Sequence, residues 1–417
     1  MAQAIAVAGG AALLYALLLT LVKDAVTTPY MDEIFHVPQA QKYCAGRYDE
    51  WDPKITTFPG VYLFGVALAH ASKLIGWRSD DDFCSMDVLR SINVLFAIGN
   101  AWLIARLRRE LMPHDAHATL HALMIVAFPV LFFFSFLFYT DSGATFFVLL
   151  MYWLATRAAD LRVRPVAASS YCTSAIAGAI AVLFRQTNIV WVVFVAGTVV
   201  VRCVEASQAP FIYGPVRVLI NFIAAVISEL PTLVSILWPF ITVVIAFVVF
   251  LIRNGGIVVG DKSNHEAGFH GAQVLYFVFV ASTGFGLNLL APSQIIKFAD
   301  SVRRQAKSLS GLLFLVVAVA SVIGIIHLFS PVHKFMLADN RHYTFYVWRK
   351  FFLKHRTAKP RYYIVPFVLL HLHTPMQSRL HLALTAAGYM GVNAVTLFVF
   401  LYRPYTWVDG TIARFMW

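Results

Sequence analysis

The 417-residue chain is poor in charge: Asp, Glu, Lys and Arg make up 13% of it, against roughly 25% in soluble domains. That excludes an ordinary water-soluble globule. Acids are scarcer than bases, 21 against 33. There are only four cysteines, none at metal-ligand spacing, which excludes a cysteine-based zinc site. Asn-x-Ser/Thr sequons are absent, so glycosylation acceptors give no help with sidedness. Internal repeats and low-complexity tracts are lacking too. Residues 5–22 are apolar but have no basic n-region and no clear cleavage site, and read as a retained span.

What fills the chain is apolar: 59% of residues are hydrophobic. Runs such as 233–252 (LVSILWPFITVVIAFVVFLI) are about long enough to cross roughly 30 Å of hydrocarbon. The pattern predicts an all-α polytopic membrane protein with about twelve transmembrane helices, forming one integral membrane domain over 1–417. The net charge of +12 does not indicate nucleic acid, because the basic residues fall in short loops between spans, as the positive-inside rule requires.

One segment, 59–77, decides the sidedness. If it crosses the membrane, the clusters around Arg106, Arg157, Lys297 and Arg349 all lie outside. If it lies on the surface, all four share the cytosolic face. The surface reading is adopted. It places both ends in the cytosol, makes about 27–87 a long first lumenal loop, and makes 204–231 a long cytosolic loop whose 216–229 part reads as an interfacial helix.

On this topology the polar motifs gather at lumenal helix ends: MDEIFH (31–36), WDPKITT (51–57), YTD (139–141), RQTN (185–188), GDKSNHEAGFH (260–270) and LADNRHYTFY (337–346). Charge at a membrane boundary is costly, so such convergence points to a site. Asp32 and Glu33 are adjacent and point roughly 100° apart on a helix, which argues against a two-carboxylate retaining pair. One base suffices for a single displacement at a sugar carbon. Asp32, four residues from His36 and able to share its face, is the expected base; it also suits an N-cap, and the two roles are compatible. Glu33 is expected to assist by orienting the loop or binding a hydroxyl.

Trp51 and Asp52 offer an aromatic face beside a carboxylate, suited to stacking a sugar or to anchoring the loop at the interface. Lys262, His265, Arg341 and His342 suit a phosphate, through forked guanidinium bonds and point charge; the alternative for 260–265 is a solvated turn. His36, Asp141, Arg185, Asp261, Asn264 and Asn340 complete the candidate sugar-binding set. Asp141, Asp261 and Asp339 remain alternative acids. Asp80, Asp81 and Asp82 read as a solvated loop, and no metal is assigned. Cys44 and Cys84 either pair, if their segment faces an oxidising lumen, or stay free thiols.

At these motifs the chain resembles a known family. DEIFHVPQAQKYC (32–44), WDPKITTFPG (51–60), YTD (139–141), RQTNIVW (185–191), GDKSNH (260–265), LADNRHYTFYVWR (337–349) and RFMW (414–417) are similar to the endoplasmic-reticulum α-1,2-glucosyltransferases that complete the dolichol-linked oligosaccharide for N-glycosylation. The resemblance implies a C-type (GT-C) membrane glycosyltransferase fold with surface helices and an acidic base in the first lumenal loop. It implies dolichyl phosphate glucose as donor, the diglucosylated dolichol-linked oligosaccharide as acceptor, no cofactor, and a site on the lumenal face of the endoplasmic reticulum membrane. Another dolichyl-phosphate-sugar transferase, or a membrane transporter or channel-regulating protein, are the alternatives.

Overall fold

The structure is a computed structural model and describes residues 1–79, 81–160, 169–207, 215–262, 271–329, 360–375, 377–408 and 410–417. Among them the chain forms α1 (Ala2–Ala25), α2 (Glu33–Cys44), α3 (Gly60–Leu74), α4 (Met86–Leu111), α5 (Ala118–Val126), α6 (Pro129–Phe133), α7 (Asp141–Asp160), α8 (Ser169–Phe184) and α9 (Ile189–Ser207). It continues with α10 (Pro215–Ser228), α11 (Leu230–Asn254), α12 (Ala272–Gly284), α13 (Leu287–Leu290), α14 (Pro292–Gln305), α15 (Leu309–Phe329), α16 (Ile364–Leu372) and α17 (Arg379–Tyr402). The one sheet among the described residues is a two-residue antiparallel pairing of β1 (Tyr405–Thr406) with β2 (Ile412–Ala413), Tyr405 opposite Ala413.

Among the described residues, six helices are long and apolar enough to cross a membrane: Ala2–Ala25, Met86–Leu111, Gln186–Glu205, Leu230–Asn254, Leu309–Phe329 and Arg379–Tyr402. The chain is therefore an all-α polytopic membrane protein. Other expected spans correspond to shorter apolar helices such as Tyr171–Phe184 and Ala272–Gly284, and the one expected over 333–353 lies outside the described residues. The expected continuous span over 120–138 is broken. Pro129 forces Phe128 into an extended conformation (φ −53°, ψ 121°), so α5 ends and α6 restarts. Asn393 Nδ2 donates to the Ala127 carbonyl at this break, 2.8 Å away, meeting the need of a backbone group in an apolar setting.

The segment in dispute, 59–77, forms α3. Its 15 residues extend about 22 Å at 1.5 Å per residue, short of the roughly 30 Å hydrocarbon thickness. Its buried residues Val61, Tyr62, Gly65, Val66, Ala69 and Ser72 recur at helical spacing and make one packed face. Gly65 belongs there because a Cβ would come within 3.1 Å of both Leu89 Cδ2 and Phe138 Cζ.

Contacts divide the chain into two compact units. The first comprises Met1–Thr27, Ile104–Phe136 and Glu266–Trp417; the second comprises Thr28–Leu103 and Leu137–His265. In the first, Tyr15 on α1 packs its ring against Phe132 and Phe136. Arg414 of the terminal RFMW motif donates to the carbonyls of Phe400, Leu401 and Ala25. It thus caps the C-terminal ends of α17 and α1, whose last carbonyls have no partner within the helix. The second unit packs α2 on α3 and α3 on α8, with α8 and α9 each packed on α7 and α11.

Candidate active site

The second unit builds its polar centre at the turn that precedes α2. Met31 has φ 56°, the one non-glycine residue with positive φ among the described residues, in a region that costs an L-residue energy. The turn persists because its flanks are tied down. Glu33 is wholly buried. Its Oε2 accepts from the Tyr30 N–H at 3.1 Å and from Arg90 Nη2 at 2.6 Å. Its Oε1 accepts from Arg90 Nε at 2.9 Å and from the Phe138 N–H at 2.7 Å. A carboxylate has about four lone-pair sites, so these bonds leave none for a substrate hydroxyl. Of the roles expected for Glu33, hydroxyl binding does not fit this geometry; orienting the loop does.

Asp32 differs from its neighbour. It occupies the N-cap position of α2, but in an α-helical conformation (φ −64°, ψ −19°) and with no side-chain capping bond. An N-cap side chain reaches the N2 or N3 amide from an extended backbone, so the expected cap is not formed. Its backbone N–H donates to Tyr139 Oη at 3.0 Å, and the side chain is left half-buried. Asn93 on α4 fixes the segment that carries Tyr139, donating from Nδ2 to the carbonyls of Leu137 and Tyr139 at 2.5 and 2.7 Å.

Tyr62 on α3 is the hub for the next group. His36 Nδ1 lies 2.6 Å from its hydroxyl. The rings of Trp51, Tyr43 and Phe138 stand 5.8, 6.1 and 6.4 Å from its own. Burial pushes the Tyr62 phenol well above its ordinary value, and the nearby Asp32 and Asp52 carboxylates push the same way. The phenol therefore stays protonated, and it donates to His36 when the imidazole proton sits on Nε2. Trp51 is fixed by its indole N–H, which donates to the Ile55 carbonyl at 3.3 Å. Asp52 closes a local turn, its Oδ1 accepting from the Lys54 N–H at 2.9 Å, while its own N–H donates to Gln39 Oε1 on α2.

Two more motifs dock on the 53–56 backbone. The Asp261 N–H donates to the Pro53 carbonyl at 2.8 Å, the Val259 N–H to Thr56, and Gln186 Nε2 to Thr56 at 2.8 Å. Gly260 has φ 79°, and a Cβ there would come within 2.5 Å of the Pro53 oxygen; the strap needs glycine for both reasons. At the start of α7, Asp141 Oδ1 takes a 2.6 Å bond from Arg185 Nη1. Asp141 Oδ2 is buried with no hydrogen-bond partner among the described residues, an uncommon state for a carboxylate oxygen.

The structure thus brings together Asp32, Glu33, His36, Trp51, Asp52, Asp141, Arg185 and Asp261 within one unit. Lys262 is exposed, and its ammonium donates to the Asn254 carbonyl at the end of α11. Asn264, His265, Asn340, Arg341 and His342 lie outside the described residues. Cys44 and Cys84 are joined in a disulfide. Residues that sequence reasoning passed over are Arg90, Asn93 and Tyr62. All sit on apolar helices, where a single Arg or Asn in a hydrophobic run is the available signal.

The DIE2/ALG10 family profile matches residues 26–402. Proteins named Dol-P-Glc:Glc(2)Man(9)GlcNAc(2)-PP-Dol alpha-1,2-glucosyltransferase from Rattus norvegicus and Homo sapiens are each 34% identical to this chain, over 96% of it and 96% of their own length. One of the same name from Arabidopsis thaliana is 31% identical, over 95% of this chain and 96% of its own. No solved structure matches. The matched region takes in the turn at Met31, the Tyr62 hub and the Asp141–Arg185 pair, and on that near-complete correspondence the chain belongs to the DIE2/ALG10 family.

Proposed function

We propose that this protein transfers glucose from dolichyl phosphate glucose, in α-1,2 linkage and with inversion, to the diglucosylated dolichol-diphosphate oligosaccharide. The observation that supports the reading is the hydrogen bonding of five sequence motifs to one another within the unit that carries Asp32, in a chain similar over nearly its whole length to glucosyltransferases of that name.

A β-linked donor giving an α-linked product requires one in-line displacement. The acceptor 2-hydroxyl oxygen forms a bond to C1 as the C1–O bond to phosphate breaks. The hydroxyl proton passes to the Asp32 carboxylate, and the electron pair leaves on dolichyl phosphate. A placed base is worth ~10²–10⁴ in rate. Glu33 holds the turn. Trp51 offers a ring to the sugar's C–H face, with His36 and Asp52 beside it. Asp141 Oδ2, buried and without a hydrogen-bond partner among the described residues, is assigned to accept from a substrate hydroxyl on binding, with Arg185 holding Oδ1. Lys262, with His265, Arg341 and His342, is assigned to the leaving phosphate, where cations stabilise the developing charge. Asp261, Asn264 and Asn340 are assigned to the sugar.

The protein is proposed to act in the endoplasmic reticulum membrane, with this site on the lumenal face and the basic loops in the cytosol. The Cys44–Cys84 disulfide supports that side, since disulfides persist in oxidising compartments. A sequon engineered at the Asp80–Asp82 loop should be glycosylated; glycosylation at 157–164 instead would reverse the topology. Asp32→Asn should fold and lose ~10²–10⁴ of turnover with purified protein, a polyprenyl phosphate glucose and a diglucosylated lipid-linked acceptor. Near-wild-type turnover would remove Asp32 as base. Cells lacking the protein should accumulate the diglucosylated lipid-linked oligosaccharide by mass spectrometry, and an unchanged profile would refute the activity.

A further inference from the structure

We infer that Arg90 is a positioning residue for the transfer: through Glu33 it locks the Met31 turn in its left-handed conformation and so fixes where Asp32 stands. The inference rests on the reading of Asp32 as the base.

The turn does not hold itself. A left-handed residue other than glycine costs about 1–2 kcal/mol, so Met31 at φ 56° tends to relax unless its neighbours are fixed. They are fixed from both sides. The Tyr30 N–H, just before Met31, bonds to Glu33 Oε2. The Asp32 N–H, just after it, bonds to Tyr139 Oη. Both anchors depend on one face of α4. Arg90 forks onto the two Glu33 oxygens, and Asn93, three residues on, holds the backbone of Leu137 and Tyr139. Glu33 also accepts from the Phe138 N–H, which ties the two anchors together. Arg90 itself is wholly buried, so its effect on the reaction runs through the turn and not through contact with substrate.

Glycine at position 31 provides the test, because it adopts positive φ without the steric cost. In purified full-length protein, Arg90→Lys keeps the charge but loses the fork. It should lower kcat about tenfold with KM for polyprenyl phosphate glucose and for the lipid-linked acceptor within about twofold. Adding Met31→Gly should recover about fivefold or more of that loss, the fold-change equivalent to the left-handed cost. Met31→Gly alone should stay near wild type. Should Arg90→Lys purify poorly, Glu33→Gln with and without Met31→Gly gives the same readout. The inference is overturned if Arg90→Lys turns over like wild type, if its loss resides in KM, or if Met31→Gly restores nothing in a protein that melts normally. Asp32→Asn, assayed alongside, separates the two readings. An inert Asp32→Asn beside a normal Arg90→Lys overturns the positioning role alone, whereas an active Asp32→Asn overturns the base.

Discussion

Two buried arginine–carboxylate pairs start from the same helix and are used in opposite ways. Arg90 and Glu33 meet at 2.6 Å, and Arg108 and Asp115 at 2.5 Å; all four side chains are essentially without exposure. In the first pair the acid is the hub, since Glu33 gathers two backbone N–H groups in addition to the guanidinium. In the second the arginine is the hub. Arg108 Nη1 donates to the carbonyls of His371, Leu372 and Thr374 at 3.2, 3.0 and 2.6 Å, around the C-terminal end of α16. Asp115 meanwhile accepts from the His117 N–H to close the turn between α4 and α5. Both pairs hold backbone at the edge of a helix or turn. One stabilises a strained turn beside a candidate base, the other a helix end whose carbonyls the helix cannot satisfy. A buried ion pair therefore does not by itself mark a site; what its spare bonds hold is the better guide.

The largest expected effect breaks the two apart. Arg90→Ala and Arg108→Ala each strand a buried carboxylate, and each should cost about 3–5 kcal/mol of stability, read by denaturant or thermal unfolding in detergent. Turnover per folded molecule should diverge. Arg90→Ala should lose at least ~10-fold, because the Met31 turn is released, whereas Arg108→Ala should keep its turnover. Equal losses in the two variants would show that the distinction drawn between them is false.

Parts of this contrast are legible in the sequence. MDEIFH, WDPKITT, YTD, RQTN and GDK stand out because charge is scarce in so apolar a chain, and the structure draws them onto one another. The Asp32–Glu33 spacing indicates that the two carboxylates diverge, but not which of them turns inward; that depends on Arg90, 57 residues away in sequence. Tyr62 lies in a segment that hydrophobicity alone would make a span and that the charge distribution assigns to the surface, and its place at the centre of the aromatic cluster depends on packing that no local pattern encodes. The break at Pro129 was available from the rule that a residue before proline leaves the helix, but hydrophobicity over 120–138 masks it. Arg414 was legible as part of a motif; its role as a helix-end cap is visible only once α1 and α17 are folded.

The smallest effect concerns the second pair alone. Burial by itself would raise the Asp115 carboxyl. The hydrogen bonds from Arg108 and the His117 N–H, with the charges of Arg108 and His121, outweigh it and hold the group below its ordinary value of 3.8. A carboxyl lowered on folding contributes stability in full above its unfolded value and loses it as pH falls through the folded one. The stability gap between wild type and Asp115→Asn should thus stay constant from neutral pH down to about pH 4 and close only below it. Unfolding curves collected across that range check this. A gap that instead widens as pH falls through about 6 would identify His121, whose Nδ1 lies 3.7 Å from Asp115 Oδ2, as the group that titrates, since only in wild type does its protonated ring gain the carboxylate as partner. The second pair would then be a histidine-linked switch and not the static counterpart of Arg90–Glu33.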